Sequence, residues 1–294
     1  MKRKRAGLTA ALLLLLVWVS VFAAAETGSG GFRTEEYRLE RDGKSIYGKL
    51  YLPENAAYPL PLLILSHGLG SDHTKMEPYA EIFAENGFAA FVFDYIGGSE
   101  HSRSDGTMTE MSVLTEAEDL NCVLDHFLGD ARFAQDAVFL FGGSQGGFIS
   151  AYVAGTRPEN TAGLILLYPA FNLQEICLSL IAQDGGLPDT AVIGKHTMGR
   201  IYLEDMLNFG IYDVLGQYPG PALLFHGTED PYVPLAYSVR AAEALADAEL
   251  VTVEGAGHGF KGEDLIRVAQ RTMDFITDLL SGARTAEPEP AAAA

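Results

Sequence analysis

Phe141-Gly142-Gly143-Ser144-Gln145-Gly146-Gly147 carries the strongest fold signal in this chain. The heptapeptide follows the apolar run Ala137–Phe141 and precedes a helix-compatible segment, Phe148–Gly155. A serine with glycines two residues before and after it is typical of a nucleophile elbow, a sharp strand-to-helix turn that exposes the hydroxyl. The alternative is a glycine-rich helix start in which Ser144 only caps the helix. The motif favours Ser144 as a nucleophile, provided that a base and an acid follow in the chain.

Short apolar runs recur on both sides of this motif, with helical patterns such as Leu114–Leu128 between them. Runs of this length suit strands that are buried on both faces of a parallel sheet. We therefore predict an α/β fold with a doubly wound, mostly parallel sheet. The predicted strands are Leu60–Leu65, Ala89–Phe93, Ala137–Phe141, Leu164–Tyr168, Ala222–Phe225 and Leu250–Val253.

Two further patterns complete the predicted architecture. Glu36–Arg41 and Ser45–Leu52 flank Asp42-Gly43, which predicts an N-terminal antiparallel hairpin. Residues 171–220 separate two sheet strands where a single helix would suffice, which predicts an inserted lid over the catalytic face. The predicted hydrolytic domain covers residues 34–280, between a flexible lead-in at 26–33 and a disordered tail at 281–294.

The charge balance is strongly acidic, with 20 Lys and Arg against 39 Asp and Glu and a net charge of −19. Such a surface disfavours nucleic acid and anionic membranes as partners. The cations are concentrated at the start, where Lys2–Arg5 precedes the apolar run Leu8–Phe22 and the small residues Ala23–Ala25. This order predicts a signal peptide over residues 1–25 and an exported, secreted product. The alternative is an uncleaved leader that anchors the chain in the membrane.

The cysteine and histidine residues do not indicate a metal site. Cys122 and Cys177 both lie among apolar residues, which favours buried free thiols, although a disulfide between them stays open. The Cys and His residues lack metal-site spacing, so we expect no metal and no cofactor.

Ser144 needs a base, and His258 is the best candidate because it follows the last predicted strand among small residues. His226 is the competing candidate. The orienting acid is predicted to be Asp230, after the penultimate strand, with its neighbour Glu229 as the alternative. The order Ser144, Asp230, His258 is the one expected of an α/β-hydrolase. Packing or solvent roles are expected for His73, His101, His126 and His196.

Acyl transfer also needs donors for the developing oxyanion. The backbone N–H of Gln145, directly after the nucleophile, is one expected donor. The loop Ser66–Ser71 follows an early strand and supplies the second, assigned to the backbone N–H of Leu69.

With these residues in place, the chain resembles the α/β-hydrolase esterases, and most of all the bacterial cinnamoyl (feruloyl) esterases. The likeness runs from about Glu36 to Leu280. The chain departs from the group in two respects: the lid is shortened around Ala182–Gly186, and Gly143 stands where a histidine often precedes the nucleophile. The resemblance is carried by seven stretches of sequence: His67–Gly70, Phe93–Tyr95, Ser104–Gly106, Met111–Glu116, Gly143–Gly147, His226–Asp230 and Gly257-His258.

The resemblance also directs attention to the lid. Four lid aromatics could wall an acyl pocket or pack the lid onto the sheet: Phe171, Tyr202, Phe209 and Tyr212. Asp184 and Asp189 are either ligands for a substrate hydroxyl or solvated loop acids.

The sequence thus predicts a secreted serine carboxylesterase that hydrolyses small carboxylic esters, including hydroxycinnamoyl esters, through an acyl-enzyme. Its expected partner is a small-molecule ester, with no membrane contact in the mature form unless the leader is retained. The alternatives are a serine peptidase of the same fold, acting on short peptides, and an inactive binding or scaffold protein. The oligomeric state stays open.

Overall fold

The computed structural model describes residues 30–207 and 209–283. The predicted signal peptide and the tail beyond residue 283 lie outside the described residues. The strands are β1 Phe32–Arg41, β2 Lys44–Pro53, β3 Leu60–Ser66, β4 Ala89–Phe93, β5 Phe133–Gly143, β6 Gly163–Leu167, β7 Thr190–Ile193, β8 His196–Gly199, β9 Pro221–Gly227 and β10 Asp247–Val253. The helices are α1 Glu77–Glu85, α2 Val113–Leu128, α3 Gln145–Thr156, α4 Leu173–Asp184, α5 Arg200–Asp205, α6 Ile211–Leu215, α7 Ala236–Ala244 and α8 Glu263–Ser281.

Eight strands form one sheet in the order β1-β2-β4-β3-β5-β6-β9-β10. β1 pairs with β2 and β2 with β4 in antiparallel fashion, and the other strand pairs of this sheet are parallel. The predicted α/β class, the parallel sheet and the N-terminal hairpin are therefore confirmed. The hairpin turns at Asp42-Gly43, where both residues have a positive φ, as the sequence predicted.

Alternate residues of the central strands face two separate apolar cores. Leu62 and Ile64 of β3 face the core that contains residues of α2, α3 and α4, whereas Leu63 and Leu65 face the core that contains residues of α1 and α8. Both sets are fully buried, because helices cover the sheet on each face. This double coverage explains why the strands read as continuous apolar runs.

The insertion at residues 171–220 folds into α4, the two-stranded hairpin β7–β8, α5 and α6. The sequence predicted the insertion but not this hairpin. Regular secondary structure extends slightly beyond the predicted domain of residues 34–280 at both ends. β1 begins at Phe32, inside the expected lead-in, and α8 extends to Ser281.

Candidate active site

Ser144 occupies the turn between β5 and α3. Its backbone has φ 56° and ψ −121°, a strained conformation for a residue with a side chain. The close crossing of loop and helix requires glycine at position 146, where a Cβ would lie 2.3 Å from the carbonyl oxygen of Ser66. The sharp turn holds the Ser144 side chain out of the sheet, as the elbow motif predicted.

His258 lies within hydrogen-bonding distance of Ser144. The distance from His258 Nε2 to Ser144 Oγ is 2.9 Å, although the two residues are 114 positions apart in the chain. His258 follows β10 at the carboxyl edge of the sheet, where the elbow also lies. The histidine side chain is only 18% exposed, so its hydrogen bonds are largely protected from water.

Asp230 accepts a hydrogen bond from the other ring nitrogen of His258, at 2.7 Å from Nδ1 to Oδ2. Its second oxygen accepts from the backbone N–H groups of Tyr232 and Val233, at 2.8 and 2.9 Å. Burial by itself would raise the pKa of this carboxyl, but the hydrogen bonds from His258 and the two amides lower it below its usual value. An ionised Asp230 keeps the proton of His258 on Nδ1 and leaves Nε2 free to accept the Ser144 proton.

The competing base, His226, has other hydrogen-bond partners, although its Nε2 lies 3.5 Å from Asp230 Oδ2. His226 is fully buried, with Nε2 donating to the carbonyl of Val233 at 2.8 Å and Nδ1 accepting from the Ser238 hydroxyl at 2.7 Å. Burial lowers the pKa of His226, which agrees with a neutral ring that orders the turn after β9. Glu229 is exposed to solvent. The geometry therefore brings together Ser144, His258 and Asp230.

The backbone segments that carry the two expected oxyanion donors lie next to Ser144. Gly68, the residue before Leu69, approaches so closely that a Cβ on it would lie 3.1 Å from Ser144 Cβ. Gln145 is the first residue of α3, and the N–H groups of a helix's first turn have no acceptor inside the helix. Both backbone segments thus lie beside the place where a substrate carbonyl would be attacked.

Two tyrosines that the sequence analysis missed flank His258. The ring centroid of Tyr168 is 4.6 Å from that of His258, and the centroid of Tyr232 is 5.5 Å away. Tyr168 is buried, whereas Tyr232 is 72% exposed at the rim of the site. Tyr168 directly follows β6, and Tyr232 comes two residues after Asp230. Both positions lie at the carboxyl edge of the sheet, which is the sequence feature that could have placed these tyrosines near His258.

Tyr168 also accounts for the space beside Gly143. A Cβ at position 143 would lie 3.0 Å from Met76 Cε and 3.4 Å from Tyr168 Oη. The region into which a larger residue would project is therefore filled by Met76 and Tyr168. This filling is a local difference from the histidine pattern of the cinnamoyl esterases.

A buried polar network surrounds the side chain of Gln145, the residue after Ser144. The side-chain amide of Gln145 donates from Nε2 to Glu116 Oε2 at 2.6 Å and accepts from the Tyr202 hydroxyl at 2.5 Å. Burial raises the pKa of Glu116 well above its usual value, because the charged form of the carboxyl is poorly solvated there. Tyr202, one of the four lid aromatics that could wall an acyl pocket or pack the lid, is fully buried in this network.

Of the other three lid aromatics, two pack against rings of α3 and the third packs against one of those two. Phe171 lies 6.0 Å from Phe148 between ring centroids, and Phe209 lies 5.3 Å from Tyr152. Tyr212 contacts Phe171 at 5.6 Å. These contacts agree with the packing alternative that the sequence left open.

The lid acids and the remaining histidines have their own surroundings. Asp184 and Asp189 are exposed, and Asp189 lies 3.7 Å from Arg200. His73 is buried and donates from Nδ1 to Asp94 at 2.8 Å, a pairing that the sequence did not predict. The ring of His196 in β8 lies against Gly70, so that a Cβ there would be 2.1 Å from His196 Cε1.

Both cysteines are free thiols; Cys122 is partly exposed and Cys177 is buried. Within residues 30–207 and 209–283, no group of three or more Cys, His, Asp and Glu side chains is arranged to hold a metal ion. Over those same described residues, no helix has both the length and the apolar character needed to cross a membrane.

Comparisons with known proteins agree with this architecture. A family model described as serine aminopeptidase, S33, matches residues 58–199, and a second, described as TAP-like protein, matches residues 213–278. The solved structure of ferulic acid bound to Est1E from Butyrivibrio proteoclasticus superposes with a TM-score of 0.76 and 23% identity, covering 83% of this chain and 99% of that one.

Two curated relatives match parts of the chain. The acylamino-acid-releasing enzyme of Mus musculus is 24% identical over 191 residues, which is 63% of this chain and 26% of that protein. The monoglyceride lipase homolog of Monkeypox virus is 30% identical over 158 residues, 52% of this chain and 55% of that protein. The match thus spans about a quarter of the length of the first relative and about half of the second. The chain has the α/β-hydrolase fold, and its resemblance to the cinnamoyl esterases holds at the level of that fold.

Proposed function

We propose that this chain is a serine carboxylesterase that hydrolyses small, uncharged carboxylic esters. The observation that carries the proposal is the continuous hydrogen-bonded chain from Ser144 Oγ through His258 to the buried Asp230 carboxylate. A strained serine, a base and an orienting acid in this geometry are the parts that nucleophilic acyl transfer needs.

The proposed reaction begins when His258 Nε2 takes the Ser144 proton and Oγ attacks the ester carbonyl. The backbone N–H groups of Leu69 and Gln145 stabilise the oxyanion of the tetrahedral intermediate. His258 then gives its proton to the leaving alcohol, which leaves an acyl group on Ser144. Water, deprotonated by His258, attacks this acyl-enzyme and releases the acid.

The acyl group is proposed to be short or aromatic, and hydroxycinnamoyl esters are included because the fold resembles that of a protein with ferulic acid bound. The acid excess of the chain, 39 Asp and Glu against 20 Lys and Arg, supports a preference for neutral over anionic esters. We also propose export of the chain through the leader at residues 1–25.

The test is an ester panel of acetyl, butyryl, octanoyl and feruloyl substrates, measured with the wild type and Ser144→Ala. We expect the wild type to hydrolyse at least one member and Ser144→Ala to lose more than a thousandfold in kcat. Residual activity above a few per cent in Ser144→Ala would contradict the serine mechanism. An inactive binding or scaffold protein would hydrolyse no member of the panel.

A second candidate is a serine peptidase acting on short peptides. The observations that favour it are the serine aminopeptidase family model and the similarity to an acylamino-acid-releasing enzyme. Turnover of an aminoacyl anilide is compared with that of a feruloyl or butyryl ester on the same wild-type preparation. A kcat/KM for the anilide above that for every ester would replace the esterase proposal with the peptidase.

A further inference from the structure

Gln145 is held by hydrogen bonds at both ends of its side-chain amide. The Tyr202 hydroxyl donates to Oε1 at 2.5 Å, and Nε2 donates to Glu116 Oε2 at 2.6 Å. All three side chains are 0 to 1% exposed. Because neither water nor an alternative rotamer is easily accessible at such a depth, this amide has essentially one orientation.

The same residue carries the backbone N–H that the proposed mechanism directs at the oxyanion. Gln145 follows Ser144 and begins α3, and its neighbour Gly146 is packed against the carbonyl oxygens of Ser66 and His67. The main chain is thus constrained on one side by that packing and on the other by the fixed Gln145 amide. Oxyanion stabilisation depends steeply on the position of the donor, so this double constraint has a direct use in catalysis.

The constraint reaches into the lid. Tyr202 lies on α5, and Asp205, one turn further along the same short helix, accepts a hydrogen bond from the Ser112 hydroxyl. Ser112 is the N-cap of α2, the helix that carries Glu116. The lid helix α5 is therefore tied both to the cap of α2 and, through Gln145, to the residue after the nucleophile.

We propose that Glu116 and Tyr202 are positioning residues that act through the Gln145 side chain to hold its backbone N–H on the developing oxyanion and to couple that donor to the lid. This inference rests on the proposed esterase function. Glu116 and Tyr202 themselves do not touch the reacting atoms; they fix the geometry of a group that does.

A purely structural role for the same hydrogen bonds makes a different prediction. If these hydrogen bonds only stabilised the fold, their removal would lower the melting temperature. It would not lower kcat and boronate affinity while leaving KM nearly unchanged. Ser112→Ala is the matched control, because it removes the hydrogen bond from the cap of α2 to Asp205 of α5 together with the cap itself, and it leaves the Gln145 amide untouched.

The experiment compares the wild type with Glu116→Met, Glu116→Gln, Tyr202→Phe and Ser112→Ala on a butyryl ester. The readouts are kcat, KM, the melting temperature and the inhibition constant of an alkyl boronic acid, which forms a tetrahedral adduct on a reactive serine. Displacing a donor should cost less than removing one, so we expect Glu116→Met and Tyr202→Phe to lose about 10- to 100-fold in kcat. KM should change less than threefold, and the boronate inhibition constant should rise in parallel with the loss in kcat.

The conservative variant and the control distinguish a positioning role from a purely structural one. Glu116→Gln keeps an acceptor for Gln145 Nε2 and should retain at least half of the wild-type kcat. Ser112→Ala should melt at a lower temperature with kcat within twofold of the wild type. Tyr202→Phe removes a single hydroxyl, so it keeps the test valid even if Glu116→Met fails to fold.

Three outcomes would overturn the inference: wild-type kcat in Tyr202→Phe, a loss confined to KM, or a Ser112→Ala variant that loses kcat and boronate affinity as strongly as the others. If the wild type hydrolyses esters and any of these three outcomes is found for the variants, only the positioning role is refuted. A wild type that neither hydrolyses esters nor reacts at Ser144 with a fluorophosphonate refutes the proposed function and the inference together.

Discussion

Asp230→Asn is the substitution with the most specific expected effect. The amide oxygen of asparagine can keep the two hydrogen bonds from the backbone N–H groups of Tyr232 and Val233, at 2.8 and 2.9 Å. Its NH₂ group must then face His258 Nδ1, where the carboxylate now accepts at 2.7 Å. Because a donor meets that nitrogen, the ring proton moves to Nε2, and the nitrogen next to Ser144 can no longer accept a proton.

The expected loss follows from this wrong tautomer. Two of the three hydrogen bonds and the side-chain volume are retained, so the melting temperature should fall by only a few degrees. The fall in kcat should be about 10⁴-fold, which corresponds to ~5 kcal/mol of transition-state stabilisation. Initial rates on a nitrophenyl butyrate, with the melting temperature measured on the same samples, test both parts.

Glu229→Gln is the matched control, because Glu229 is the exposed neighbour and the alternative acid. Its kcat should stay within twofold of the wild type. The reasoning is refuted if Asp230→Asn keeps more than a tenth of the wild-type kcat, or if Glu229→Gln falls as far.

Three other predictions follow from burial, packing and the leader. The pKa of Glu116 is raised above its ordinary 4.5, so the unfolded chain ionises there first and the wild type loses stability as the pH rises. Glu116→Gln lacks this loss, and its melting temperature relative to wild type should increase from pH 5 to pH 8; a constant difference would contradict it. Gly146→Ala, whose Cβ would lie 2.3 Å from a backbone oxygen, should lower the free energy of unfolding in denaturant titrations by about 1–3 kcal/mol or more. The exposed Gly129→Ala should change it by less than about 0.5 kcal/mol, and equal effects would refute the packing argument. Mass spectrometry of the exported protein should find cleavage after Ala25; an intact leader would favour the anchored form.

Much of the fold could be predicted from the sequence because its signals are local. The run Ala89–Phe93 matches a strand residue for residue, and the predicted helix Leu114–Leu128 differs from α2 by one residue at its start. A strand buried on both faces and a helix with one apolar side leave patterns of period and composition that need no tertiary information. The elbow around Ser144 is equally local, since its glycines are required by the turn itself.

The lid could only be predicted as an insertion. The β7–β8 hairpin consists of two four-residue strands, and Thr190–Ile193 is partly exposed, so neither an apolar run nor a strict alternation marks it. Residues 171–220 are held instead by contacts with α2 and α3, which the local sequence does not record.

The hydrogen-bonded network around the Gln145 side chain could not be predicted, for the same physical reason. Gln145 is separated by 29 residues from Glu116 and by 57 from Tyr202. The local sequence around each residue predicts nothing unusual: Glu116 is an acid in a helix, Gln145 follows Ser144, and Tyr202 is an aromatic residue of the lid. The pairing of His73 with Asp94, 21 residues apart, is a further example. Only the fold brings these groups together.

The most direct measurement of the central claim is the site of covalent modification by a fluorophosphonate. If Ser144 is a nucleophile activated by His258, the protein should gain the mass of one adduct, peptide mapping should place it on Ser144, and Ser144→Ala should gain none. An unmodified wild type, or an adduct that persists in Ser144→Ala, would contradict the claim that this serine performs the chemistry.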